Sequence, residues 1–285
     1  MKNVIIPNPK RLKEKIAKFK KAGANDLFIL ADFNKTFTKA FVNGEKTPSL
    51  IAQLRNGKYL TKNYAERAND LYNKYHPIEI SKEISLEEKK AKMLEWWKVH
   101  YALLITSGLD EKTIKLTVED MIREGRKFRP HIKELFRLLK SKNIPVIIMS
   151  AAGIGNMVNL FLKKKGILFD NLHFIGNTLE FDKNGKFKDI KEDKIIHVLN
   201  KQAIETKGLP VYEKIKNRKS IILLGDSMDD LEMTHNFPYN SLIKIGFFNF
   251  PDEATIEDFK NNFDLIITRD GSFEAVNKLL KEILI

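Results

Sequence analysis

The chain has 285 residues, 43% of them hydrophobic, no cysteine, and a formal charge of +13. The length holds one large domain or a domain with an insert, and the lack of cysteine excludes disulfides, thiolate metal sites and cysteine nucleophiles and suits a reducing compartment. The charge excludes less, because its lysines are dispersed through "KRLKEKIAKFKK", "EEKKAKM" and "FLKKKG", which read as solvated helix faces without the aromatic interleaving of a nucleic-acid surface.

The N-terminal "MKNVIIPNPKRLKEKIAKFKKAG" has only "VII" as an apolar run, too short for a secretory signal. No run reaches the roughly 18 residues of a membrane span. A soluble, cytoplasmic monomer is expected, with no membrane or specific nucleic acid among its partners. "DLFILAD" (26–32) is the first compact apolar run of the kind buried on both faces of a parallel sheet. From 43 to 124 the pattern turns helical. Ser85 and Glu88 form a capping box there, Gly108 and Gly125 stop helices, and Glu79, after Pro77, falls in a loop. "PHIKELFRLLKSK" and "GNMVNLFLKKKG" are further helices, set between strands "IPVIIMS" (144–150) and "NLHFIGN" (171–177). "LEFDKNGKFKDI" reads as a hairpin turning at Asn184-Gly185, since no acid closes it as a calcium loop. "SIILLGD" (220–226), "SLIKIGFF" (241–248) and "FDLIITR" (263–269) complete the strands. Strands alternating with helices predict an α/β, doubly wound, mainly parallel sheet. Residues 1–42 and 125–285 would form this core, and 43–124 an inserted helical cap.

Ligands in such sheets bind at the carboxyl ends of strands. Three runs end there in Asp32, Ser150 and Asp226. A single strand-end aspartate is ordinarily a helix cap, and if a helix begins at Ser227, Asp229 and Asp230 are ordinary first-turn acids. Together the three strand ends suit a magnesium site. Mg²⁺ takes one or two carboxylates with waters and a phosphate oxygen, and a backbone carbonyl two residues after Asp32 can add a ligand. Asp32 is then placed to attack phosphorus. Ser150 and the amides of "SAAGIG" would hold the phosphoryl oxygens, and a lysine would offset the charge.

The order strand–D-x-[D/N]-x-T, strand–S, Lys, strand–GDSxxD resembles the haloacid dehalogenase-like phosphohydrolases. "NGEKTPS", "YHPIEI", "MLEWWKVH", "IIHVLNKQ", "ILLGDSMDDLEM" and "LIKIGFFN" narrow the resemblance to the cytosolic pyrimidine 5′-nucleotidases, over about Leu27 to Leu280. The resemblance implies Asp32 as nucleophile and metal ligand, Thr36 as support for the first loop, and Ser150 and Ala151 at the phosphate. It also implies Lys201 at the family's lysine position, with Lys194 as a rival. Asp226 is implied as a second ligand and Asp230 in the metal shell, with Asn34 contributing its carbonyl. On the cap, Glu79 would read the base. Phe41, Trp97 or His100 would stack on it; Trp96 and Trp97, about 100° apart on a helix, divide between core and cleft.

Two departures stand out. Asn34 occupies the place of the family's second aspartate, which protonates the leaving oxygen and then activates water; an amide does neither, and that work is worth about 10²–10⁴-fold. "SAAGIG" carries one alanine more than the family pattern. The expected activity is magnesium-dependent hydrolysis of nucleoside 5′-monophosphates such as UMP and CMP, weakened by Asn34. The alternatives are a silent nucleotide binder, an enzyme acting on 7-methyl-GMP, and a phosphotransferase.

Overall fold

The computed structural model describes residues 3–151, 153–192, 194–203 and 209–285. A two-residue strand β1 (Val4–Ile5) precedes α1 (Pro9–Ala22), which Asn8 caps by accepting from the Arg11 amide. Next come β2 (Leu27–Ala31) and a small hairpin, β3 (Phe41–Val42) and β4 (Glu45–Lys46). Four helices follow: α2 (Leu50–Asn56), α3 (Tyr64–Ile80), α4 (Leu86–Thr106) and α5 (Glu111–Arg123). Then α6 (Ile132–Ser141), β5 (Val146–Ser150), α7 (Gly155–Lys164) and β6 (Leu172–Gly176) lead to the hairpin β7 (Leu179–Phe181) and β8 (Phe187–Ile190). The chain ends with α8 (Tyr212–Ile215), β9 (Ser220–Gly225), β10 (Ser241–Phe248), α9 (Ile256–Asn262), β11 (Leu265–Thr268) and α10 (Glu274–Ile283).

The main sheet runs β1-β11-β10-β9-β2-β5-β6, parallel except for β1 at one edge. Period-two alternation sends Leu27, Ile29 and Ala31 of β2 into one core and Phe28 and Leu30 into the other, so every residue of that strand is buried. The first core takes apolar residues from α1, α6, α7 and α10, the second takes Ile215 of α8 with Met233 and Phe237. Helices on both faces make the sheet doubly wound, as expected. The first core also continues into Leu50, Tyr64, Leu104 and Val118 of α2 to α5.

Four local expectations change. Asn43-Gly44, both at positive φ, turns β3 into β4 inside the stretch read as helical; the strands are too short to leave a periodic signal. Glu79 lies in the last turn of α3, not in a loop, and Pro77 sits inside that helix. Packing outweighs the proline here: Tyr75 is buried and stacks on Trp96 of α4 at 5.7 Å. The Glu88 amide bonds to Ser85, but the reciprocal bond of a full capping box is made instead at Thr255 and Asp258. Finally, the turn after Asp226 becomes helical at Asp229–Thr234, as a 3₁₀ segment. The hairpin at Asn184-Gly185 and the helix ends just ahead of Gly108 and Gly125 follow the sequence.

Candidate active site

β2 is central, with β9 on one side and β5 on the other. Their carboxyl ends therefore bring Asp32, Asp226 and Ser150 to one edge of the sheet. The Asp32 amide donates to the Leu224 carbonyl at 3.0 Å, which carries the pairing one residue past β2. Its carboxylate is nearly buried and accepts from Lys201 Nζ at 2.9 Å through Oδ1; Oδ2 has no protein donor among the described residues. Lys201 also donates to Asp230 Oδ1 at 2.8 Å. The other Asp230 oxygen accepts from the amides of Asp226 and Ser227 at 2.9 and 3.0 Å. This tight turn needs Gly225, because a Cβ there would stand 2.5 Å from that of Asp230. Thr36, fully buried, donates to Asp226 Oδ1 at 3.1 Å. Lys194, the rival lysine, is exposed.

Two buried carboxylates, Asp32 and Asp230, and the half-buried Asp226 thus gather around the Lys201 ammonium. Burial, opposed by Lys201 and reinforced by Asp230, pushes Asp32 up to about 6. Burial and repulsion from Asp230 and Asp32 push Asp226 far above the usual carboxylate range. Lys201 has its charge opposed by burial, but Asp230 and Asp32 overcome that and raise its pKa. The excess negative charge suits a bound cation. Among the described residues no three acidic or imidazole side chains form a ready-made cage. Two carboxylates and a carbonyl, completed by water and phosphate, are what Mg²⁺ accepts.

Two arginines that the sequence pattern did not single out are buried here. Arg129 donates to the carbonyls of Thr36 (2.9 Å) and Lys35 (2.6 Å), to Asn249 Oδ1 (2.7 Å) and to Gly271 (2.9 Å), and pairs with Asp270 at 3.0 Å. It ties the loop after β2, with Lys35 at φ +59°, to the ends of β10 and β11. Arg126 stands beside Asn34. "REGRKFRP" shows both arginines, but nothing in its local pattern marks them as buried.

On the other side of Asp32, Ser150 is buried at the end of β5 and Ala151 lies just beyond it. Ala152, where the extra alanine of "SAAGIG" would be felt, lies outside the described residues. Gly153 has φ +76°, and a Cβ there would meet the Trp97 ring at 2.1 Å; its carbonyl accepts from Tyr101 at 2.9 Å. Trp97 therefore packs on the loop after Ser150, whereas Trp96 stacks against Tyr75. His100 is buried, bonds to Tyr64 at 3.1 Å, and is pulled down to about 4 by burial, so it does not offer a face to a ligand. Phe41 packs on Phe250 at 5.4 Å. Glu79 bonds to His76 at 2.9 Å. Its charge also adds, behind burial and Asp230, to raising the pKa of Asp229.

A family model described as "Pyrimidine 5'-nucleotidase (UMPH-1)" matches residues 35–284. The chain is 30% identical over 285 residues to the 7-methylguanosine phosphate-specific 5′-nucleotidase of Mus musculus, covering 99% of this chain and 92% of that one. It is similar to the crystal structure of cytosolic 5′-nucleotidase IIIB bound to cytidine, with TM-score 0.87 and 26% identity, over 99% of this chain and 94% of that chain. A substrate-bound phosphoserine phosphatase has the same fold at TM-score 0.50 and 19% identity, over 90% of this chain and 97% of that chain.

Proposed function

The chain belongs to the pyrimidine 5′-nucleotidase (UMPH-1) family of haloacid dehalogenase-like hydrolases, and from that premise we propose that it hydrolyses nucleoside 5′-monophosphates with Mg²⁺, through an aspartyl phosphate on Asp32. The observation that carries the proposal is the buried Asp32–Lys201–Asp230 chain, with Asp32 Oδ2 unclaimed by any protein donor among the described residues. Asp32, Asp226 and the backbone carbonyl of Asn34 would hold the metal, which would offset phosphoryl charge. Asp230 would position Asp226 and Lys201, and Thr36 would orient Asp226. Asp32 attacks phosphorus, the phosphorus–ester oxygen bond breaks, and its electron pair leaves with the nucleoside oxygen, which takes a proton from water. A second water then attacks the aspartyl phosphate, releasing phosphate and the Asp32 carboxylate. Ser150 and Ala151 would hold the phosphoryl oxygens, and residues 43–124 would serve as the cap. The cytosolic name of the structural relative supports a cytosolic location.

The family description, a relative specific for 7-methylguanosine phosphate and a relative bound to cytidine support uridine, cytidine and 7-methylguanosine monophosphates as the substrate class. Glu79 at the end of α3 would read the base. Glu79→Ala is expected to change kcat/KM ratios among UMP, CMP and 7-methyl-GMP by about tenfold, as for a lost charged hydrogen bond. An unchanged ratio removes Glu79 from the base site.

A second reading, a binder that captures the nucleotide without cleaving it, is favoured by the amide at position 34. Phosphate release from UMP, CMP and 7-methyl-GMP, with and without chelator, separates the two. Release that stops with chelation is expected; tight binding without release identifies the binder. The metal has a readout besides activity. Saturating Mg²⁺ should raise the melting temperature at pH 8 by about 5 °C, the effect of ligand at some hundred times its Kd. Protons compete for carboxylates whose pKa is raised, Asp32 to about 6, so the shift should shrink by more than about half at pH 5.5. A shift independent of pH would place the ion elsewhere.

A further inference from the structure

Arg126, just after α5, is only 3% exposed, yet its guanidinium meets only neutral oxygens. Nη1 reaches Asn34 Oδ1 at 3.4 Å, and Nη2 donates to the Pro48 carbonyl. Nε makes no hydrogen bond. No carboxylate of the described residues pairs with Arg126; its sequence neighbour Glu124 accepts from Gln53 Nε2 at 2.6 Å instead. A buried cation that has no ion-paired carboxylate among the described residues, only the more distant charge of Glu124, is costly and invites an anion. This cation stands beside a residue two positions from Asp32.

A guanidinium has five donors and no acceptor. Asn34 can therefore meet Arg126 only through its carbonyl oxygen. That fixes which way the amide lies and leaves Nδ2 without a protein acceptor among the described residues. We propose that Arg126 is a positioning residue that turns the Asn34 Nδ2–H toward the phosphoryl site, where it donates to the ester oxygen of the substrate. Position 34 thereby supplies a hydrogen bond and not a proton. The inference rests on the phosphohydrolase reading. When the phosphorus–oxygen bond breaks, its electron pair goes to the ester oxygen; Asn34 keeps both of its amide protons, and the proton that this oxygen finally carries comes from water. The unpaired Arg126 charge also favours a dianionic phosphate over longer range. A leaving group that is stable without a proton gains little from the Asn34 bond, while a nucleoside alkoxide gains much.

The test is a double-mutant cycle of Arg126→Met and Asn34→Ala, read on UMP and on 4-nitrophenyl phosphate, whose phenolate needs no proton. Arg126→Met is expected to lower kcat on UMP about tenfold with KM nearly unchanged, and to lower it at least about fivefold less on the aryl ester, the scale of one oriented donor. In the Asn34→Ala background the same change should have no further effect on UMP. Equal losses on both esters, or additive losses in the cycle, would overturn the proposal and leave Arg126 as a packing residue. Where Arg126→Met does not fold, as judged by its melting curve, Arg126→Lys replaces it in the same cycle. If the parent chain cleaves neither ester, the hydrolase reading fails by itself, and the cycle is then read on UMP affinity by calorimetry. A loss of about threefold that vanishes in the Asn34→Ala background supports the inference, and an additive loss overturns it.

Discussion

Asp32→Asn should abolish turnover, lowering phosphate release from UMP on the order of 10⁴-fold or more, as removal of a nucleophile does. The substitution keeps shape and an oxygen to accept from Lys201, so the neighbouring bonds persist. It removes the negative charge proposed to attack phosphorus and one of the two carboxylates proposed to hold Mg²⁺. Rapid acid quench should trap labelled phosphate on the parent protein and none on Asp32→Asn. A variant that keeps a tenth of the parent rate would rule out attack by Asp32. The melting temperature should hold or rise, because the variant removes a buried carboxylate whose ionisation burial already opposes.

Lys201→Met carries the second large effect, and it acts on stability as well as rate. Lys201 is the only cation bonded to Asp32 and Asp230 among the described residues, and it is 6% exposed. Removing it leaves buried carboxylates uncompensated, a loss of about 3–5 kcal/mol. The same change should lower kcat about 10²–10³-fold, the scale of losing a fixed charge beside the developing transition state. Urea unfolding and steady-state kinetics check both. Mg²⁺ should recover part of the lost stability, since it supplies positive charge to the same carboxylates, but not the rate. A variant as stable and as active as the parent would show that Lys201 is incidental to the site.

How the site was legible varies by residue. Asp32, Ser150 and Asp226 could be found because each closes an apolar run, and parallel sheets place such ends at one edge. The roles of Thr36 and Asp230 came with the resemblance: Asp230 caps the nearby amides of Asp226 and Ser227, whereas Thr36 reaches Asp226 across 190 positions. Lys201 lies 169 residues from Asp32, and only the resemblance pointed to it. Arg126 and Arg129 escaped entirely. An arginine that spends its donors on distant carbonyls looks in sequence like any solvated one. The helical stretch 43–124 was harder still. Helical periodicity does not say whether Trp96 or Trp97 turns to the cleft, and Pro77 argued for a loop where packing of α3 on α4 keeps a helix.

By itself the sequence determined the doubly wound sheet and the acids at its edge, because burial on both faces and the end of a strand are written in consecutive residues. Only the tertiary structure decided which lysine joins Asp32 to Asp230, which tryptophan rests on Gly153, and that Arg126 faces Asn34. Those choices depend on strand order and on how helices pack across the chain, and a bond between residues many tens of positions apart leaves no trace in either one's neighbours.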